Sequence, residues 1–311
     1  MAIDAVVAFF ILGVVCKLVG AKLPFPDGLY KALSIFLMIS IGLKGGLALQ
    51  QHTDSDLIAM SLAVIAFGLL LPLVAYPLLR YFGQLDKVDA GAIAAHYGSV
   101  SVATYAVAVA LLEAGGISYE AYFPLFVVLL EMPAIIVGLA LAKGNLKLIN
   151  RDFVRKELVA NPSILLMVGG LLIGYAGGQS VQKLTPFFVE LFPGVLALFL
   201  LKMGLIAGQQ LSALKENSLF LVCFAMLMPM IGGVAGTALG LGLGLSAGGI
   251  TLMAVLGASA SYIAVPAAMK ESLPEANAGM SITASLGITF PFNVIINVPF
   301  LIAIGQYVGD F

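Results

Sequence analysis

Two stretches of this chain repeat each other at a fixed distance. Asp89–Pro133 and Ala247–Pro291 each begin near a glycine, Gly91 and Gly249. Each then carries a small polar cluster deep in apolar sequence. The first reads Tyr97-Gly98-Ser99-Val100-Ser101, the second Gly257-Ala258-Ser259-Ala260-Ser261. Both continue through apolar residues to a glutamate (Glu113, Glu271) and end on a proline inside the next apolar segment (Pro133, Pro291). The differences 259 − 101, 271 − 113 and 291 − 133 are all 158, and Pro72 and Pro229 fit nearly the same shift. A duplicated apolar unit interrupted at matching positions is the sequence pointer to a secondary transporter, with its site at the interruptions.

Composition fixes the solvent. The chain is 61% hydrophobic and 10% charged, a balance that excludes a soluble domain. At about 20 apolar residues per span the chain holds about ten membrane helices. They are expected at 3–21, 28–48, 56–82, 88–114, 120–142, 161–178, 190–212, 217–243, 248–270 and 277–307, the last tilted or broken. The apolar start lacks the basic n-region and cleavage site of a removed signal peptide and reads as the first span. The fold class is therefore an all-α integral membrane protein with broken helices in spans four and nine. Its parts are a first five-helix repeat at 1–143, a connector at 144–160 and a second repeat at 161–311. Five spans per repeat is odd, so the second repeat sits upside down relative to the first.

Lysine and arginine set the orientation. Lys143, Lys147, Arg151, Arg155 and Lys156 lie between spans five and six, and Lys22, Arg80, Lys87 and Lys215 fall on the same side. The opposite side has clearly only Lys183. The basic side is placed in the cytoplasm and both termini outside, in the plasma (inner) membrane. The basic segment reads as a topology and headgroup signal, with a docking surface for a soluble partner as the other reading. A net charge of −1 gives no argument for nucleic acid, and the two cysteines, both inside spans, form no disulfide framework or metal motif.

The interrupted spans carry the chemistry. His96, Tyr97, Gly98, Ser99, Ser101, Thr104 and Tyr105 cluster at mid-membrane depth in span four, as do Gly257, Ser259, Ser261, Tyr262 and Pro266 in span nine. Pro266 removes a backbone donor and glycine permits a non-helical backbone. Two half-helix N-termini facing each other would offer free N–H groups and positive dipole ends to a small anion. Serine and threonine hydroxyls can add donors to an anion or acceptors to a cation. Small residues in membrane helices also serve plain close packing. Ionisable groups inside spans are costly unless functional or paired. Lys44 and Lys202 are again 158 apart (202 − 44), and Glu131 stands just before Pro133. Lys44 reads as an interfacial or a functional charge, and Glu131 as a partner for a lysine or for His96.

With these residues in hand, the chain resembles the sodium-dependent bicarbonate symporters of the cyanobacterial type over nearly its whole length. The resemblance rests on Ile41-Gly42-Leu43 with Gly45-Gly46, and on Val88-Asp89-Ala90 through Gly98, Ser101, Thr104 and Leu111-Leu112-Glu113 to Tyr119-Glu120-Ala121. It rests also on Pro133-Ala134 with an acid at 131, and on Ala258-Ser259, Pro266, Pro274, Ala276-Asn277, Pro291 and Pro299. It implies ten spans in two inverted repeats, gate and core domains, elevator-type sodium-coupled bicarbonate uptake, a homotrimer and a small PII-like cytoplasmic regulator. Carried over residue by residue, it implies site positions at Gly98, Ser101, Thr104, Ser259 and Ser261, with Na+ at Ser101, Thr104, Ser259 and Ser261. Ser99, Gly257 and Tyr262 flank them as further substrate contacts. This chain departs from the family where Tyr262 replaces an Asp, Ala264 and Ala103 replace Ser, Val102 replaces Gly, Lys44 replaces Thr, Lys202 replaces Val and Ile206 replaces an acid. The long polar insert between spans five and six is reduced to a short connector. The expectation is an anion carrier with weakened or lost sodium coupling, in which Lys202, Lys44, Glu131 and His96 handle charge.

Other functional classes share parts of this pattern. An anion channel could share the small-residue segments, and a changed site could take another small carboxylate. An intramembrane serine hydrolase would need a base near Ser99 or Ser101, which His96 could supply from the same helix face. No G-x-S-x-G elbow is present, the second repeat's serines have no such histidine, and His52 lies in a loop.

Overall fold

A computed structural model describes residues 4–21, 23–50, 56–144, 161–213 and 219–309. The connector residues 145–160, with Lys147, Arg151, Arg155 and Lys156, and also Lys22, His52 and Lys215, lie outside the described residues. The described residues are helical and contain no strand. In chain order the helices are α1 (Ala5–Leu18), α2 (Asp27–Leu49), α3 (Leu57–Pro77), α4 (Lys87–His96), α5 (Val102–Ala114) and α6 (Phe123–Lys143). After the connector come α7 (Pro162–Ala176), α8 (Phe192–Ala213), α9 (Leu219–Gly242), α10 (Ala247–Ala258) and α11 (Ala264–Ser272). The last, α12, runs over Ala278–Gly309 through two π-type stretches.

Polar caps start these helices. Asp4, Asp86, Asn161, Ser246 and Asn277 each accept a first-turn amide of α1, α4, α7, α10 and α12. Pro162 follows Asn161 at the first helical position, where its missing N–H is no loss. Left-handed Gly144 (φ 69°) closes α6.

Among the described residues, six helices are long and apolar enough to cross a membrane: Gly28–Leu49, Leu57–Phe82, Phe123–Lys143, Phe192–Gln210, Leu219–Gly242 and Ala278–Gly309. The other four expected spans are built from shorter pieces. With 14 and 15 residues, α1 and α7 reach only about 21–23 Å at about 1.5 Å per residue. The α1 helix stops before Gly20, which turns the chain at φ 78°. The other two are the interrupted spans, α4–α5 and α10–α11. Leu12, Leu18, Ile58, Leu62, Leu172, Val234, Ile296 and Phe300 stand exposed along the outer helices, an apolar belt suited to lipid.

Two sets of close helix pairings stand out, with α8 also reaching α12 and α7 reaching α6 between them. α1 lies along α8, and α2 along α7, with α2 also touching α8. Under the 158-residue shift α1 corresponds to α7 and α2 to α8, so each of these pairs is the image of the other. In the second group α4 packs on α3 and α6, while α10 packs on α9 and α12. Ala90–His96 of α4 and Gly248–Ala258 of α10 are buried throughout. That burial is what allows chain breaks at membrane depth, because freed backbone groups can find partners only inside protein.

Glycine decides how closely the first group packs. Gly46 on α2 and Gly204 on α8 are repeat equivalents (204 − 46 is 158), and a methyl at either would collide with a backbone carbonyl, of Leu171 on α7 or of Phe10 on α1. Gly169, one residue from a contact glycine of α7, faces open space. Gly46→Ala and Gly204→Ala should each destabilise the protein by about 1–3 kcal/mol, while Gly169→Ala should be neutral or stabilising through its better helix propensity. Thermal unfolding in detergent checks this; equal midpoints for all three would contradict the close-approach account.

Candidate functional site

The two interruptions cross each other. α4 ends at His96 and α5 begins at Val102; α10 ends at Ala258 and α11 begins at Ala264. Across the crossing the Ser261 amide donates to the His96 carbonyl at 2.9 Å. His96 Nδ1 lies 2.6 Å from the Ser261 carbonyl. A carbonyl oxygen only accepts, so Nδ1 carries the hydrogen and the two residues bond reciprocally. Asn293 Nδ2 donates to the Ala258 carbonyl at 2.7 Å, filling a place left by the end of α10. Asn297 Nδ2 in turn donates to Asn293 Oδ1 at 2.9 Å. Thr289 donates to the Ala225 carbonyl at 2.6 Å and receives the Tyr97 hydroxyl at 2.8 Å.

What stays open is at the two N-termini. Ser101 caps α5, its Oγ accepting the Thr104 amide at 3.1 Å. At α11 the Ser261 Oγ accepts the Val265 amide at 3.4 Å, and Pro266 has no amide hydrogen. The first-turn amides of Val102, Ala103 and Ala264 have no carbonyl within their own helices to bond. All three residues line one cavity of about 30 Å³. By the measure of about 10–15 Å³ per water, that is room for two or three water-sized groups. Ser101, Ser261, Tyr262 and Glu131 share its wall with Ser34, Ser163 and Phe199. No lysine or arginine lines it. Two helix N-termini, each carrying roughly half a positive charge, therefore converge on a small and largely apolar chamber.

The crossing brings four of the sequence-predicted residues to the cavity: Ser101, Ser261, Tyr262 and Glu131, the last 4% exposed. The Tyr262 hydroxyl approaches Ser101 without completing a hydrogen bond, and its ring stands edge-on to Phe290 at 5.3 Å. Other predicted residues support the crossing from behind. Ser259 Oγ donates to the Val255 carbonyl at 2.9 Å. Ser99 Oγ and Thr104 Oγ1 are buried without a hydrogen-bond partner. Gly98 sits against Pro72 and Ala134, and Gly257 against the Gly232 backbone and Phe67, so both serve close packing. His96 is bonded to Ser261 rather than to Ser99 or Ser101, which leaves no serine–histidine dyad of a hydrolase here.

The two lysines lie elsewhere. Lys44 Nζ meets Glu113 Oε1 at 2.6 Å and stands 4.9 Å over the Phe192 ring. Tyr119 donates to the same oxygen at 2.8 Å. Burial, with Tyr105 and Glu113 nearby, holds the Tyr119 hydroxyl well above the usual phenol range, so it remains a donor. Lys202 Nζ donates to the Phe25 carbonyl at 3.5 Å and lies 5.4 Å from that residue's ring centre. Neither lysine lines the cavity at the crossing.

A sequence model of the Na+-dependent bicarbonate transporter superfamily matches residues 5–306. The chain belongs to that superfamily. No curated protein matches it. Membership in a transporter superfamily, together with the six membrane-length helices, makes this a multi-pass membrane protein of the bicarbonate transporter class.

Within this superfamily member several useful residues escaped the sequence reading. Ser34 on α2 and Ser163 at the start of α7 line the cavity from outside the crossing. Asn293 and Asn297 brace the break from α12. A signal for the bracing set was present: Thr289, Asn293 and Asn297 recur every fourth residue in an apolar helix, one polar stripe turned inward. His96→Ala leaves the buried Ser261 carbonyl unpaired and should cost about 1–3 kcal/mol. His96→Asn, whose amide nitrogen can replace Nδ1–H, should recover most of it. Thermal unfolding of the two variants reads this, and equal loss in both would show that the imidazole's packing, and not its hydrogen bond, holds the crossing.

Proposed function

We propose that this chain is an alternating-access carrier that takes up bicarbonate at the crossing of the two interrupted spans. The convergence of the α5 and α11 N-termini on one small cavity is the observation that carries the reading. Three unpaired amides with hydroxyls beside them suit a small planar oxyanion, and two half-charges together balance one negative charge. Superfamily membership supplies the substrate class. The reading takes the chain as ten spans in two inverted repeats. α1, α2, α7 and α8 form a gate, and the crossing rides in a core that moves against them in elevator fashion. The distribution of lysine and arginine supports a plasma-membrane orientation with both termini outside.

Glu131 gives the coupling its physical basis. A bound anion and an ionised Glu131 about 5 Å apart would repel by about 3 kcal/mol at an effective dielectric of about 20. A cation or proton arriving with bicarbonate would offset that repulsion. The superfamily's sodium fits this place as a co-substrate, held by Glu131 with hydroxyl oxygens of Ser101 and Ser261. Glu131 then does the work of the carboxylate missing at Tyr262. With Lys202 turned to a different cavity, charge compensation falls to the helix N-termini. A sodium-independent carrier for bicarbonate or another small carboxylate is the second reading, favoured by the absence of an acid at position 262.

Labelled-bicarbonate uptake into proteoliposomes, with and without a sodium gradient at fixed pH and membrane potential, tests both. The primary reading predicts sodium-driven accumulation, loss of that drive in Glu131→Gln, and roughly tenfold weaker bicarbonate affinity in Ser101→Ala or Ser261→Ala. Lys202→Met should keep wild-type affinity. Equal uptake with and without sodium supports the second reading. No uptake of bicarbonate under any gradient removes both for this substrate.

A further inference from the structure

The duplication carries an ion pair as well as a binding site. The differences 202 − 44 and 271 − 113 are both 158, so Lys44 with Glu113 corresponds to Lys202 with Glu271. Only the first couple is joined here: Lys44 Nζ meets Glu113 Oε1 at 2.6 Å, with Tyr119 holding the same oxygen at 2.8 Å. Lys202 leans on Phe25 instead, through one long 3.5 Å bond to the carbonyl and a ring contact. Glu271 is exposed near the C-terminal end of α11 and has contacts of its own.

We propose that these are two alternating latches, the Lys44–Glu113 pair closed in the present state and the Lys202–Glu271 pair closed when the carrier faces the other side. The proposal rests on the alternating-access reading above. In a carrier built from inverted repeats, the opposite state is reached when the two repeats exchange conformations. A contact made by one repeat now is made by the other afterwards. Each lysine stands on a gate helix, α2 or α8, and each glutamate near the end of a crossing half-helix, α5 or α11. The joined pair therefore bridges the surface along which the two bodies would slide, and the second would bridge it when closed. The space beside them differs in the same sense. Lys44, Glu113, Tyr105 and Tyr119 border a cavity of about 260 Å³, whereas Lys202 opens on one of about 430 Å³ shared with Lys17 and Gln209. The closed pair is partly exposed, Lys44 at 19% and Glu113 at 38%, and exposed ion pairs bind weakly enough to part in every cycle.

Engineered cross-links test this in the full-length protein in native membranes, after Cys16 and Cys223 are replaced. Lys44→Cys with Glu113→Cys, and separately Lys202→Cys with Glu271→Cys, are treated with a short bifunctional thiol reagent. Both pairs are expected to cross-link, each cross-link abolishing uptake until reduced. In the four-cysteine protein, closing the first pair should cause loss of the second. The swapped variants Lys202→Glu with Glu271→Lys guard against misfolding and should keep wild-type uptake, while Lys202→Glu alone loses it. The proposal is overturned if the second pair never cross-links in a protein that transports, if both pairs close in one molecule, or if the swap fails to restore uptake in a protein that reaches the membrane at the parental level. Cross-linking needs no substrate. A parent that forms both links but carries no bicarbonate would count against the substrate assignment alone, and would leave the latches standing.

Discussion

Everything in this protein follows from the demand that backbone polar groups be satisfied inside a membrane. A helix meets that demand by itself; a broken helix does not. Here two helices break at the same depth, and each supplies part of what the other lacks. The reciprocal bonds between His96 and Ser261, at 2.9 and 2.6 Å, satisfy one amide and two carbonyls where regular structure stops. Asn293 takes the Ala258 carbonyl. The groups this arrangement leaves over, the first-turn amides of α5 and α11, are gathered at one cavity. Binding capacity in this fold is the remainder of an otherwise complete hydrogen-bond account.

The same demand explains why so much of the crossing is apolar and closely packed. Gly98 and Gly257 let neighbouring chain segments close down on the breaks, and α10 is buried along almost its whole length. A low-dielectric wall strengthens the attraction between an anion and the helix N-termini, and it equally strengthens the repulsion between that anion and Glu131. On the proposed reading the same geometry favours an anion only together with a compensating charge. Neither Lys44 nor Lys202 lines this chamber.

Much of this was legible in the sequence because it was written twice. Glycine, serine and proline at matched offsets located both breaks, and Ser101 and Ser261, which precede α5 and α11, line the cavity. The sequence offered Lys202 as a charge for the substrate and Lys44 as an interfacial or functional one; it could not show that α2 brings Lys44 to Glu113, a partner 69 residues away. Pairings of that kind depend on how α1 lies along α8 and α2 along α7, and local composition carries no trace of a crossing between repeats. Span lengths were overestimated for α1 and α7, since apolar residues continue past the point where Gly20 and Gly177 end the helices. Asn293 and Asn297 were passed over although their spacing of four after Thr289 marks one helix face, because that stripe does not name the carbonyl it serves.

The central claim is that the anion sits at the paired helix N-termini. A cryo-electron microscopy structure of the full-length protein in lipid at saturating bicarbonate and sodium tests it most directly. The account predicts density within hydrogen-bonding distance of Ser101 and of the Val102, Ala103 and Ala264 amides, with Glu131 on the far wall. Density beside Lys44 or Lys202, with nothing bound between the two half-helices, would contradict it.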